Sequence, residues 1–235
     1  MKLQVADLIV EVPAAGGMTP RCKDYLTDEN LEADIVISAD RYNPAKYGDC
    51  DYDLAAYLDS GFEFYGNLLR FDGLMLHASA VAYEGRAYLF SGPCGMGKST
   101  HTRLWQQVFG DTAVVINDDK PALRRIDGKW YAYGTPWCGK DGINVNTKVP
   151  LGGICFLKRG EQNEIRRLDS LKASASIISQ TLRKFKKESN LTLMLSHVDK
   201  LVREIPIFEF KNLPLPESAR LSYETMSDAA KEVGL

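Results

Sequence analysis

Residues 92–99 read Gly92-Pro93-Cys94-Gly95-Met96-Gly97-Lys98-Ser99, a G-x-x-x-x-G-K-S run. No other stretch constrains the fold as tightly. The glycines free the backbone to turn its N–H groups around an anion, the lysine adds a positive point charge, and the serine hydroxyl suits Mg²⁺. The flanks agree with that use. Ala87-Tyr88-Leu89-Phe90 is an apolar strand leading in, and Thr100 to Val108 is a helical run leading out, so a helix N-terminus faces the loop. The unit predicts a phosphate-binding loop over Gly92–Thr100, with Lys98 at the β/γ-phosphates and Ser99 on the metal. A glycine-rich turn without a ligand is the competing reading. Four fixed positions in this context weigh against it.

What surrounds the loop narrows its type. Leu74-Met75-Leu76-His77-Ala78-Ser79-Ala80-Val81 predicts a strand, Tyr83-Glu84-Gly85-Arg86 a hairpin turn, and Ala87 to Ser91 the return strand. The loop therefore follows the second arm of a hairpin, where most such loops follow the first strand of a parallel unit. Downstream, Thr112 to Asp119 predicts a buried strand ending in Asp118 and Asp119. One carboxylate there can hold Mg²⁺, and the other can take a proton from an acceptor hydroxyl. Adjacent acids also occur on ordinary surface turns, but their place after Val114-Val115-Ile116 favours a site. His77 ends an apolar strand arm, where a lone histidine is more often a satisfied core residue than a functional one.

The rest of the chain reads as elements without motif chemistry. Residues 2–12 predict a strand closed by Pro13 and Gly16-Gly17, Asp34–Ser38 a second strand, and 52–70 a helix. Residues 1–70 form an N-terminal segment packed on a nucleotide-binding domain of residues 71–235. In that domain, strands at 122–126 and 130–133 flank an Asp127-Gly128-Lys129 turn. A strand at 152–157, helices at 169–187 and 190–204, a strand at 205–210 and a helix at 216–233 follow. Hairpin-rich strands with segregated helices predict an α/β domain on a mixed sheet. The apolar positions Leu171, Ile177, Ile178, Leu182, Phe185, Leu191, Leu193 and Leu195 read as core rather than interface. The loop carrying Trp137, Cys138, Lys140, Asn144 and Asn146 either closes over the site, with Lys140 meeting transferring charge, or is solvated. Arg103 reads as a surface or nucleotide-edge residue, and Cys94 as a small residue that fits its loop, with oxidation the alternative. The basic run Arg183–Lys187 reads as a solvated face, with contact to a leader peptide or acidic partner as the alternative.

Composition bounds the rest. The 235 residues are 45% hydrophobic, enough for a real core, and the net charge of −2 gives no basic field to recruit nucleic acid. Five scattered cysteines with no C-x-x-C pair suit a reduced, cytoplasmic protein. No apolar stretch approaches the ~18 residues of a membrane span, and there is no leader-like N-terminus.

In order and spacing, Leu76-His77-Ala78-Ser79-Ala80-Val81, Gly92 to Ser99 and Asn117-Asp118-Asp119 resemble the catalytic domain of HPr serine kinase/phosphorylase, a relative of ATP-dependent phosphoenolpyruvate carboxykinase. The similarity covers residues 71–160. It extends to HPr-kinase-related proteins of peptide-modification systems, which share the Gly134-Thr135-Pro136-Trp137 stretch. The resemblance implies a P-loop core of that fold with an N-terminal extension. It implies ATP and Mg²⁺ as cofactors, a serine on a peptide or small protein as acceptor, and homo-oligomeric assembly. By position, Asp119 would be the general base, Asp118 and Ser99 would hold the metal, His77 would orient a carboxylate, and Lys98 would grip phosphate. The Glu-x-Arg-Gly-x-Gly stretch of the bifunctional enzymes is missing after the double Asp, so phosphorylase activity and HPr itself as substrate do not follow. An ATP-binding regulatory module without transfer, and a small-molecule kinase, stay open as alternatives.

Overall fold

From the N-terminus the backbone forms β1 (Lys2–Val5), β2 (Leu8–Glu11), α1 (Thr19–Cys22), β3 (Ile35–Val36), α2 (Tyr52–Leu68), β4 (Gly73–Met75), β5 (Ala78–Tyr83) and β6 (Arg86–Ser91). It continues with α3 (Lys98–Phe109), β7 (Val114–Asp119), β8 (Ala122–Ile126), β9 (Lys129–Tyr133), β10 (Lys148–Arg159) and β11 (Glu164–Arg167). The last elements are α4 (Ser170–Gln180), α5 (Glu188–Glu204), β12 (Ile207–Asn212) and α6 (Pro216–Glu232). This is a computed structural model, and it describes residues 1–14, 18–48, 50–182 and 188–235.

The fold is α/β on a mixed sheet. The larger sheet has nine strands, running β4-β8-β9-β10-β6-β5-β7, with β12 also paired to β10 and β11 to β12. The β10–β6 and β10–β12 pairs are parallel, and the β5–β6, β5–β7 and β8–β9 pairs are antiparallel. Strand β10 joins two lobes: residues 148–150 pair with β9, and the stretch from Leu151 onward pairs with β6. The register slips between Leu151 and Gly153, and a bulge there lets one strand bend from one lobe into the other.

Period-2 side chains make the central strands two-faced. In β6, Ala87 and Leu89 join one core with Ile177 of α4 and Met194, Val198 and Leu201 of α5. Tyr88 and Phe90 join another with Trp105 of α3 and Met226 of α6. In β10, Ile154 and Phe156 divide from Cys155 and Leu157 in the same way. Helices thus cover both faces, and near-continuous apolar strands are the expected sequence signature. A separate sheet, β1-β2-β3, builds a third core with α2, Tyr133 and Trp137.

Several sequence expectations are corrected. The strand expected over 2–12 is a hairpin whose turn, Ala6-Asp7, has both φ values positive (53° and 58°). Its alternation runs through without an Asn-Gly signal, and Asp7 is held by Tyr133 Oη at 2.7 Å and Lys148 Nζ at 2.8 Å. The strand expected over 74–81 is two strands. Leu76 and His77 leave the sheet between them, and His77 N donates to Gln180 O at 2.8 Å. Both halves are buried, so no change of period marks the break. Strand β11 was not anticipated because it is a charged edge strand: Glu164 pairs with Lys211 and Arg166 with Glu209 across β12. The first helix after β11 stops at Gln180. The proposed apolar face of the two helices is only partly core: Ile177 is buried, whereas Leu171, Leu191 and Leu195 are exposed. Helix α5 instead buries Met194, His197, Val198 and Leu201, a face at helical spacing rotated from the leucines. The expectations for Gly16-Gly17, Phe185 and Arg183–Lys187 lie outside the described residues.

Candidate active site

Strand register brings the motif residues together. Ala78 lies opposite Ser91 on one side and Asp119 on the other. His77, the Gly92 loop and Lys120 therefore leave the sheet at one edge. Ser91 Oγ donates to His77 O at 2.8 Å, which ties the start of the loop to the β4–β5 break.

The loop is shaped by glycine. Gly95 and Gly97 have φ of 75° and 92°, in the region where a Cβ is strained, and Gly97 caps α3 without a side chain. Lys98 is buried, and its Nζ donates to Gly92 O at 3.0 Å and Pro93 O at 3.3 Å. Burial pushes its pKa below the usual lysine range, while Asp119, Cys94 and Asp118 act in the opposite direction. Ser99 Oγ donates to Asp118 Oδ1 at 3.0 Å.

Successive residues of a regular strand face opposite sides. Asp119 departs from that rule with a φ of 120°, and both Asp118 and Asp119 line one cleft. Such a backbone costs about 1–3 kcal/mol and persists only where its surroundings hold it. Here they do. Asn117 Oδ1 accepts from Lys120 N at 2.9 Å, and Asn117 Nδ2 donates to Thr135 O at 2.9 Å. Lys120 O accepts from Thr135 Oγ1 at 3.0 Å and from the Tyr65 hydroxyl.

The Asp119 carboxylate is gripped on both oxygens: His77 Nε2 lies 3.1 Å from Oδ1, and Lys120 Nζ bonds Oδ2. Burial alone would raise its pKa, but the His77 hydrogen bond and the Lys120 charge outweigh burial and hold it at about 2. Burial pulls Lys120 down, yet Asp119 beside it brings its pKa above the ordinary lysine value. His77 Nδ1 lies 3.1 Å from Gln180 Oε1, so the end of α4 sets the ring's orientation.

The cleft measures about 420 Å³ and is lined by His77, Cys94, Gly95, Gly97, Lys98, Ser99, Thr100, Asp118, Asp119 and Gly139–Asp141. Gly92, Pro93 and Met96 shape the loop without lining the cleft. A second cleft of about 500 Å³ shares Asp119, Gly139 and Lys140, and its other side is Arg21, Asp51, Asp53, Leu54, Tyr57, Lys120 and Cys138. Arg21 donates to Cys138 O at 2.8 Å and Gly139 O at 3.0 Å, and lies 4.8 Å from the Tyr57 ring centroid. Lys120 lies 5.4 Å from the same centroid.

The Trp137 stretch divides: Trp137 and Cys138 are buried, whereas Lys140 and Asn146 are exposed. Trp137 is fully buried, stacks on Phe64 at 4.5 Å and donates to Ser60 Oγ at 3.0 Å. Asn144 donates to Gly142 O and Asn146 to Asp24 O, while Lys140 is exposed and lines both clefts. Arg103 pairs with Asp141 at 2.7 Å. Sequence reading missed Lys120, Tyr57, Arg21 and Gln180. Only Lys120, next to the double acid, carried a signal in the sequence.

Among the described residues, no group of three or more His, Cys, Asp or Glu side chains could hold a metal alone. No described helix is long and apolar enough to cross a membrane, and all five cysteines are free thiols.

The model of the family described as SynChlorMet cassette protein ScmC matches residues 53–213. The chain belongs to the ScmC family. The match opens in α2, closes beyond β12, and contains His77, the glycine-rich loop, the double acid and the Trp137 stretch. Arg21 and the β1-β2-β3 sheet precede it. Among solved structures, the Hpr(Ser) kinase/phosphatase from Coxiella burnetii is similar over 67% of this chain and 96% of its own, at 13% identity and a TM-score of 0.38. No curated protein matches.

Proposed function

We propose that this ScmC-family chain is an ATP-dependent kinase that transfers a γ-phosphoryl group to the serine hydroxyl of a peptide or small protein. One observation carries the reading: the Ser99–Asp118 pair and the His77–Asp119 pair, whose carboxylate Lys120 also holds, face one cleft over a glycine-rich loop that opens a helix. Helix N-termini with free N–H groups attract phosphate. A hydroxyl and one carboxylate fit Mg²⁺, which usually takes one or two carboxylates and completes its shell with water and substrate phosphate. Bound there, the ion would neutralise charge on the transferring group. Lys98 would leave the carbonyls of Gly92 and Pro93 for phosphate oxygens. Asp119, oriented by His77, would accept the hydroxyl proton, and Lys140 stands between the two clefts to meet developing charge.

A second reading, ATP binding without transfer, draws on one feature: both oxygens of Asp119 are already engaged by His77 and Lys120. The test is ³²P transfer from γ-labelled ATP with Mg²⁺ to a serine peptide library, with Lys98→Ala and Asp119→Asn as controls. Label on peptide with the wild type alone supports the kinase. Tight ATP binding with no labelled peptide supports the second reading.

A further inference from the structure

Beside the two clefts lies a third hollow of about 220 Å³, and its chemistry is different. Tyr57, Leu58, Phe62, Tyr65, Met75 and Trp137 make most of its walls, Tyr47 and Leu182 complete them, and the only charged residue among its described lining is Lys120. The floor is built rather than accidental. Gly61 contributes no side chain, and a Cβ there would stand 2.8 Å from Trp137 Cδ1. Trp137 is locked by Phe64 and Ser60. Tyr65 is locked by Thr135, at 2.9 Å.

The hollow borders the Asp119 side of the site at two residues. Tyr57 and Lys120 line both it and the second cleft. Lys120 Nζ bonds the Asp119 carboxylate and lies 3.4 Å from Tyr57 Oη. One side-chain thickness therefore separates the carboxylate from an apolar hollow. An apolar cavity of about 150 Å³ holds a benzene ring. This one has room for a ring or a branched aliphatic group with its first methylene. Consecutive Cα atoms are about 3.8 Å apart, so a group in the hollow belongs one or two residues from a hydroxyl held at Asp119.

We infer that the hollow is a specificity pocket for an aromatic or branched aliphatic side chain one or two residues from the phosphorylated serine. The inference rests on the kinase reading and names the acceptor class for that site. It also gives α2, which carries five of the ten described lining residues and no motif, a part in substrate choice.

The test has two arms. The first measures binding of capped Ser-Phe, Ser-Leu, Ser-Lys and Ser-Gly dipeptides, and their reversed sequences, to the full chain with ATP and Mg²⁺, by ligand-observed NMR. The second measures ³²P transfer to serine peptides with every residue type placed one and two positions to either side. Phe and Leu probes should bind at least about tenfold tighter than the Gly probe, the order expected for one apolar group in a pocket. The same residues should lead the transfer ranking. Leu58→Glu, which puts charge in the hollow, should erase the preference. Leu58→Trp, which fills the hollow with apolar volume, should erase it too, so loss of folding in one variant leaves the other as the test. Equal binding of all probes, or a preference that survives both substitutions, overturns the pocket. Selective binding without transfer supports the pocket and defeats the kinase reading.

Discussion

The two walls of the site are built by different means. The loop wall, Gly92–Ser99, is one contiguous stretch whose glycines and α3 N-terminus make it almost wholly from backbone. The second wall, on the neighbouring cleft, gathers Arg21, Tyr57, Lys120 and Gly139 from four separate parts of the chain, held by side-chain contacts to carbonyls and rings. A backbone-built wall has to be encoded locally, in residue types that few other tasks demand. A wall assembled from side chains can be encoded by any residues that reach. The first therefore tolerates little change at fixed positions, and the second tolerates change as long as its supports stay packed.

Asp119→Asn separates the walls most sharply. It keeps the loop and removes a charge gripped by His77 and Lys120. On the kinase reading, transfer should fall by about 10²–10⁴-fold, the usual loss for a positioned acid or base. Nucleotide affinity, measured by calorimetry, should stay within a few fold. A parallel loss of affinity would show that the walls are not separable.

Trp137→Ala strikes the supports of the second wall. The indole is fully buried against Phe64 and Tyr65, and its loss should cost about 3–5 kcal/mol, read as a shift in denaturant midpoint. If the variant stays folded, ATP affinity should survive better than acceptor selectivity. Arg124→Met is the next step down. Arg124 Nη1 donates to Ala6 O at 2.6 Å and its Nε to Phe71 O at 2.9 Å, joining the β1–β2 turn to β8. Two stranded carbonyls should cost about 1–3 kcal/mol, with hydrogen exchange rising first in β1 and β2.

The same contrast explains what could be read from the chain. The loop, the double acid, the β5–β6 and β8–β9 hairpins and α2 were legible because each depends on local signals: glycine spacing, turn residues, helical periodicity. The break at His77 was not, because Leu74 to Val81 is apolar apart from His77 and Ser79, and tertiary pairing alone divides it between β8 and β6. The Ala6-Asp7 turn was hidden because its positive φ values are held by Tyr133 and Lys148, more than 120 residues away. Lys120 stood beside the double acid, but its ion pair with Asp119 and its contact with Tyr57 exist only in the folded chain. The phase of α5 was misjudged because leucines line two of its faces and only packing selects Met194, Val198 and Leu201.

The smallest expected effect lies at Asp59 on α2. Its carboxylate accepts from Lys46 Nζ and Tyr47 Oη, both at 2.8 Å, and from Asn43 N at 2.8 Å. Burial alone would raise its pKa, but these three donors outweigh burial and hold it below the usual 3.8. A carboxylate depressed in the folded state adds stability above its unfolded pKa and loses it as pH falls through the folded value. The wild type should therefore lose stability below about pH 4 in part through Asp59, and Asp59→Asn should flatten that acid slope. Lys46 is half exposed, so solvent screens its share, and the difference at neutral pH should stay within about 1 kcal/mol. Melting curves for both proteins between pH 3 and pH 6 make the comparison. Because Asp59 sits on the helix that carries Tyr57 and Leu58, acid should loosen the second wall before the loop wall. If acceptor selectivity and ATP affinity decay together as pH falls, the two walls share one stability, and the division drawn here between them fails.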